Sequence, residues 1–551
     1  MNRAQIGIAG LHPRKVRDLI VTKARVSQRR TNQIVGIRLQ LGTRWTLLTA
    51  TDLDGQHRMR LDGQLIQRDM LWTQRQQLAQ IVGQLWQRLS RHSDEQIKRD
   101  PCKASLPRAL DHGGPLDALN QVVALDANDG RELWRFDPGA YRAGQPSNGT
   151  GLVHRGVAQW SDGRSRRIFI NSRWRLIALD ASTGKPLASF GTNGEIDLTA
   201  QLDRPVNRRH YTNTSPPVVW GDLVILGNGV GDRLAYKGDP PGDVQAFDVH
   251  TGKRVWAFRT VPAAGEFGND TWRDDSWKFT GHTNVWAPFT VDSARGLVFL
   301  PVGTPSNDWY GGRRAGANLF GEALVALDAR TGKRVWHYQI VHHGIWDYDM
   351  PTAPILHDIR KDGKTIKVAT LLTKQGLTFV FDRVTGKPVW PIEERPVPGS
   401  DIPGEQPSKT QPFPTRPAPM LRPGYDESDL IDFTPELNAE AKRIASNYKL
   451  GPLFTPPVVS TWPKPLGTLI SPVVTGGANW QGGALDPETN ILYIFSNSGA
   501  QGLGLVKPEG GRSDMDYVMG VARNPNAAPA GRPAGGGGGG EGGGGLTVQG
   551  L

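Results

Sequence analysis

"ALDARTGKRVW", residues 326–336, is the stretch whose reading decides the fold. A short apolar run ends in Asp328, a Thr-Gly turn follows, and a second run closes on Trp336. Glycine supplies the positive φ that a tight turn needs, and an aspartate side chain can cap the turn, so the stretch predicts strand, turn, strand. The same pattern recurs in "ALDANDGRELW" (124–134), "ALDASTGKPL" (178–187), "AFDVHTGKRVW" (246–256) and "VFDRVTGKPVW" (380–390), with a weaker copy, "ALDPETNILY", at 484–493. The closing tryptophan can wedge against a neighbouring unit. One such unit cannot bury both of its faces, and radial stacking of four-stranded sheets answers that with repeats of about 40 to 50 residues. The repeated aspartates are spaced 54, 68, 80, 54 and 104 residues apart, which leaves room for long insertions of the kind on which sites are built.

Composition agrees with an all-β body. The 551 residues include 67 glycines, 41 prolines and 17 tryptophans, and little helical periodicity is sustained beyond about residue 115. A single cysteine, Cys102, excludes an internal disulfide, a cysteine zinc site and a CxxCH haem attachment, so redox chemistry would need another cofactor. No run of about 18 apolar residues is present, and the basic N-terminus lacks the apolar core of a signal peptide.

The net charge of +12 is unevenly placed. Residues 1–111 carry 20 Lys and Arg against 9 Asp and Glu, while the other 440 are nearly neutral. Residues 1–115 therefore read as a basic, atypical N-terminal segment, with an amphipathic helix expected over 68–100 that places Leu71, Leu78, Ile81, Leu85 and Leu89 on one stripe. A basic tail of this kind suits nucleic acid or an anionic membrane, which suggests peripheral membrane association at most. The near-neutral body argues against nucleic-acid binding by the rest of the chain.

With the repeats come "VHRGVAQW" (153–160), "GHTNVWAPFTVD" (281–292), "LVFLPVGTPSNDWYGG" (297–312), "HHGIWDYDMPTAPIL" (342–356), "TKQGLTFVFDRVTG" (373–386) and "GGANWQGGALDP" (476–487). In that order these segments resemble the quinoprotein dehydrogenases, eight-bladed β-propellers with tryptophan-docking repeats that bind pyrroloquinoline quinone (PQQ). The likeness is strongest to the glucose dehydrogenase branch and covers 116–551.

The resemblance implies a PQQ- and Ca²⁺-dependent dehydrogenase that oxidises an aldose or an alcohol and passes the electrons to a separate acceptor such as ubiquinone. It also implies a periplasmic location. Such chemistry needs a base for the hydroxyl proton and a cation near the reacting carbonyl. Asp347 matches the catalytic base and a metal neighbour, and Lys374 the cation. Trp286 matches the flat floor beneath the tricyclic ring, while Arg155, Thr214 and Asn479 match positions that hydrogen-bond the cofactor. Asp232 matches a further metal ligand. Asp349 is expected to face the other side of the chain and to be structural. His342 and His343 read equally as substrate-orienting or as structural residues.

Departures from the family pattern sharpen the reading. Gly149 and Thr150 stand where the alcohol branch carries adjacent cysteines, and Thr304 stands at that branch's calcium-binding asparagine. Six repeat copies against eight expected blades, with the chain stopping at "LTVQGL" where relatives continue, imply a propeller incomplete at both ends. "AGGGGGGEGGGG" (534–545) reads as a flexible loop. The alternatives to an enzyme are a non-catalytic β-propeller scaffold and a truncated, inactive dehydrogenase fragment.

Overall fold

The repeat's turn works as its residues dictate. The structure is a computed structural model that describes residues 119–526 except 147, 149, 230, 232–235 and 512, together with backbone strands between 20 and 65 and at Leu546–Thr547. In the second repeat Asp328 Oδ1 accepts the backbone N–H of Arg330 at 3.1 Å and of Thr331 at 2.8 Å, and the Thr331 hydroxyl at 2.9 Å. Asp180 and Asp248 hold their turns in the same way, with threonine hydroxyls added, and Asp382 does so through backbone N–H groups.

Each turn then receives a tryptophan from the repeat before it. The indole N–H of Trp134 donates to Ala181 O, that of Trp256 to Ala329 O and that of Trp336 to Arg383 O, at 3.0 to 3.1 Å. The ring lies so close that a Cβ added at Gly332 or Gly386 would sit 2.6 Å from the indole. Both glycines also stand at positive φ, 69° and 73°. Glycine is thus required twice over, for the turn and for the docking. The copy at 178–187 has no tryptophan, and the next turn's glycine, Gly252, packs against Phe190 and Ile196 instead.

The sheets are antiparallel meanders. Three have four strands: Ala158–Ser161, Arg166–Ser172, Arg175–Asp180 and Glu195–Asp197; Val218–Trp220, Leu223–Leu226, Val244–Asp248 and Arg254–Phe258; and Thr290–Asp292, Leu297–Pro301, Ala323–Asp328 and Arg334–Gln339. A three-stranded sheet follows, Ile355–Lys361, Lys364–Leu372 and Thr378–Asp382. The first strand of each touches the first strand of the next, while the tryptophans join the outer strands. First strands innermost and docked turns outermost is the radial arrangement expected from the repeats. Buried apolar side chains of neighbouring sheets fill the wedges between them, as with Ile225, Val244, Val298, Leu300, Val325 and Leu327.

One copy is corrected. The hairpin Gly483–Asp486 with Ile491–Ile494 is strand, turn, strand, but its first strand lies beside Ile355–Lys361, where a sheet's innermost strand belongs. It lacks both the turn glycine and the tryptophan, so it cannot dock as the other copies do. Between it and the three-stranded sheet runs an insertion, 383–482, that carries the hairpin Ile392–Pro396 with Thr410–Pro414 and the helix Pro435–Ala445, capped by Thr434 Oγ1.

The chain divides into two compact units, Met1–Ala109 and Leu110–Leu551. The first contains a five-stranded antiparallel sheet, Ile20–Arg29, Asn32–Leu41, Arg44–Leu53, Gln56–Leu61 and Gln64–Leu65, joined by two-residue turns. The helix expected over 68–100 and the glycine-rich run 534–545 lie outside the described residues.

Candidate active site

"HHGIWDYDMP" is neither strand nor helix, and it runs buried between the third four-stranded sheet and the three-stranded one. Alternation organises its centre. Trp346 and Tyr348 point into the apolar core with Phe454, anchored by Trp346 Nε1 to Thr455 O at 2.9 Å and by Tyr348 OH to Pro472 O at 3.3 Å. Asp347 and Asp349 point the other way, to one ammonium. Lys374 Nζ donates to Asp347 Oδ1 at 2.9 Å and to Asp349 Oδ2 at 3.1 Å. The expectation that Asp349 faces away from Asp347 is therefore overturned: residues two apart on an extended chain share a face, and Tyr348 between them takes the opposite one. Asp347 also stands at φ 56°, an uncommon backbone position for a residue with a side chain.

Asp349 is the more tightly held carboxylate. Its Oδ1 accepts the N–H of Thr304 at 2.5 Å and its Oδ2 the indole N–H of Trp286 at 3.2 Å. Burial alone would raise its pKa, but the Lys374 charge and the Thr304 N–H bring it down to about 2. Asp347 goes the other way. Burial raises it well above the usual carboxylate range, with Lys374 only partly offsetting and the charges of Asp349 and Asp308 adding to the rise. Burial likewise works against the Lys374 charge, yet the two carboxylates more than offset it and raise its pKa. Environment thus separates two aspartates two residues apart into a permanent anion and a group ready to exchange a proton.

Trp286, Arg155 and Thr214 are brought together as expected. Arg155 Nη1 and backbone N both donate to Thr214 O, at 3.2 and 3.0 Å, and Thr214 Oγ1 reaches Trp286 O at 3.5 Å. The Arg155 guanidinium lies 5.2 Å from the Trp286 ring centroid and Lys374 Nζ 5.9 Å from it. Trp286 also lines a polar cleft with Asn171, Asn213, Thr214 and Ser215. Nearby, Asn148 donates to Thr212 while its own Oδ1, buried, has no partner among the described residues.

Asn479 sits on a turn close to Lys374, with its amide bonded to Thr475 O at 2.7 Å and its Oδ1 accepting the Trp480 N–H at 2.6 Å. Gly477 N bonds Lys374 O at 2.7 Å, and a Cβ at Gly476 would collide with the Lys374 side chain.

The two histidines turn to structural partners. His342 bonds Gln339 and Glu394, and buried His343 bonds Gly316 O and Glu405. Thr304 gives its hydroxyl to Glu322 Oε1 at 3.1 Å. Asp232 and Gly149 lie outside the described residues. Among the described residues, no group of three or more His, Cys, Asp and Glu is arranged to hold a metal ion.

Sequence reasoning missed a second buried charge cluster. His282 lies between Asp239, 3.4 Å away, and Asp308, 3.6 Å away, and His210 reaches Asp239 at 3.0 Å. Burial disfavours charge on His282, but the two carboxylates raise its pKa well above the ordinary value. "GHTN" and "PSND" carry no spacing that would have announced this pairing, because they meet only through the fold.

Residues 116–532 match the family described as PQQ: glucose/ethanol/alcohol dehydrogenase, beta-propeller domain. The chain is 34% identical over 413 residues to a probable quinate dehydrogenase (quinone) of Xanthomonas campestris pv. juglandis, covering 70% of this chain and 50% of that one. It is 34% identical over 392 residues to the quinoprotein glucose dehydrogenase of Gluconobacter oxydans, covering 68% and 47%. The solved quinohemoprotein alcohol dehydrogenase of Pseudomonas putida superposes with a TM-score of 0.51 at 28% identity, over 72% of this chain and 50% of that one. The chain spans about half the length of these relatives.

Proposed function

The chain belongs to the PQQ-dependent quinoprotein dehydrogenase family and has its β-propeller fold, and from that premise we propose that it oxidises a hydroxyl-bearing carbon of an aldose or other polyol at Asp347 and Lys374. The observation that carries this reading is the ammonium of Lys374 set against both Asp347 and Asp349 at the edge of Trp286. A scaffold has no use for two buried carboxylates with opposite pKa shifts beside an open aromatic face.

The residues present suit the cofactor: an indole for its flat ring, Arg155 and Lys374 for its negative charge, and a buried amide oxygen at Asn148 with hydrogen-bonding capacity to spare. Trp286, Arg155 and Thr214 would hold it, with Asn479 close by. PQQ, when bound, supplies the hydride acceptor. Asp347 receives the proton of the substrate hydroxyl, and its raised pKa brings it nearer to neutrality, where a general base works best. Lys374 orients that carboxylate and brings positive charge to the place where negative charge grows. Asp349, pinned by Thr304 and Trp286, fixes Lys374.

A bound Ca²⁺ would draw on Asp347 and Asp232, two oxygen ligands of the kind that this ion prefers. No helix among the described residues is long and apolar enough to cross a membrane. A separate quinone acceptor, reached from the periplasm, completes the reaction. The test is reconstitution of the purified chain with PQQ and Ca²⁺, then dye-linked oxidation of glucose, quinate, glycerol and ethanol. Turnover that requires PQQ supports the proposal, and a folded chain that binds no PQQ contradicts it in favour of the scaffold.

A further inference from the structure

Trp480 has no role so far, and its position is unusual. It is a large aromatic residue left 39% exposed, yet it is fixed in place. Its backbone N–H is capped by Asn479 Oδ1, and the turn that carries it is closed by Gly482 N on Asn479 O at 2.8 Å. That turn is tied to the chain around Lys374 by Gly477 N on Lys374 O and by Ala478 N on Thr373 O. Trp480 is therefore held in a set relation to the Lys374 ammonium and, through it, to Trp286.

Between the two indoles lies one planar group. The guanidinium carbon of Arg155 is 5.2 Å from the Trp286 centroid and 4.9 Å from that of Trp480. Each ring is thus within about 5 Å of the same atom, so their centroids lie no more than about 10 Å apart. Stacked aromatic rings prefer centroid separations of about 4.5 to 7 Å, which suits a single flat ring system with an indole on each side. A guanidinium is flat and cationic, and it stacks on indoles when nothing larger competes for them.

We propose that Trp480 is the second aromatic wall of the cofactor slot, opposite Trp286, and that Arg155 holds the slot until the ring system displaces it towards the ligand's negative edge. Trp480 is then a binding residue, and its turn sets the slot's position against Lys374. Its hold on a planar anion is by stacking, which any aromatic side chain of sufficient face can supply.

This inference rests on the proposed function, and its test separates the two. PQQ binding is measured in the presence of Ca²⁺ by equilibrium dialysis for the wild type, Trp480→Ala and Trp480→Phe, with circular dichroism confirming that each is folded. Loss of one stacking face predicts a dissociation constant raised about tenfold or more in Trp480→Ala, and within about threefold of wild type in Trp480→Phe. A Trp480→Ala chain that binds PQQ within about twofold of wild type overturns the second wall while leaving the proposed function intact. Phe as weak as Ala overturns the stacking role. A wild-type chain that binds no PQQ overturns the proposed function, and the second wall with it.

Discussion

The rim and the centre of this molecule use tryptophan in opposite ways. At the rim Trp256 and Trp336 are buried to the edge, each donating its N–H to the next turn and closing its ring over a glycine that has no room for a methyl group. At the centre Trp286 gives its N–H to a buried carboxylate and keeps part of its face open to cations. Rim tryptophans stabilise by packing, so their loss should lower stability without touching chemistry. The central one is tied to a charge cluster, so changes there should alter binding and proton transfer more than packing.

The strongest way to break that contrast is to remove the ammonium. Lys374→Ala leaves Asp347 and Asp349 buried without their shared cation, and should cost about 3 to 5 kcal/mol in urea unfolding as well as all turnover. Trp336→Ala should cost a similar amount, about 3 to 5 kcal/mol, yet leave PQQ affinity unchanged in whatever fraction folds. If the rim variant loses affinity in proportion to stability, the two regions are not separable.

Glu322 sharpens the comparison through pH. Burial, and then the charge of Asp349, raise its pKa from 4.5 to about 8. A carboxyl raised on folding contributes stability that is complete below pH 4.5 and is lost as pH climbs to about 8. Stability measured across that window should therefore fall with rising pH, and Glu322→Gln should flatten the slope. Gly332→Ala adds a Cβ against Trp256 at a left-handed position, and about 1 to 3 kcal/mol of destabilisation is expected in thermal unfolding. Asp328→Ala, which frees the turn donors at an exposed site, should cost about 1 kcal/mol.

The rim was legible in the sequence because its rules are local. Asp328, Thr331 and Gly332 form their turn within five residues, and Trp336 announces the docking by its position after that turn. The weak copy at 484–493 shows the limit: a strand–turn–strand pattern without glycine or tryptophan does not say which pair of strands in a sheet it forms. At the centre the family likeness pointed to Asp347, Lys374 and Trp286, which the fold does bring together. What stayed hidden depends on side-chain direction and distant neighbours. Asp349 was misplaced for want of the two-residue period of an extended chain. His282 with Asp239 and Asp308, and Trp480 with Arg155, join residues that are tens to hundreds apart in sequence.

The most direct test of the account is Asp347→Asn, compared with wild type in PQQ affinity and in PQQ-dependent dye reduction on the best substrate of the panel. An amide is close to the carboxylate in shape but cannot take the proton, so turnover should fall by about a hundredfold or more while PQQ still binds. Turnover equal to that of the wild type would contradict Asp347 as the base and with it the assignment of this cluster as the site of chemistry.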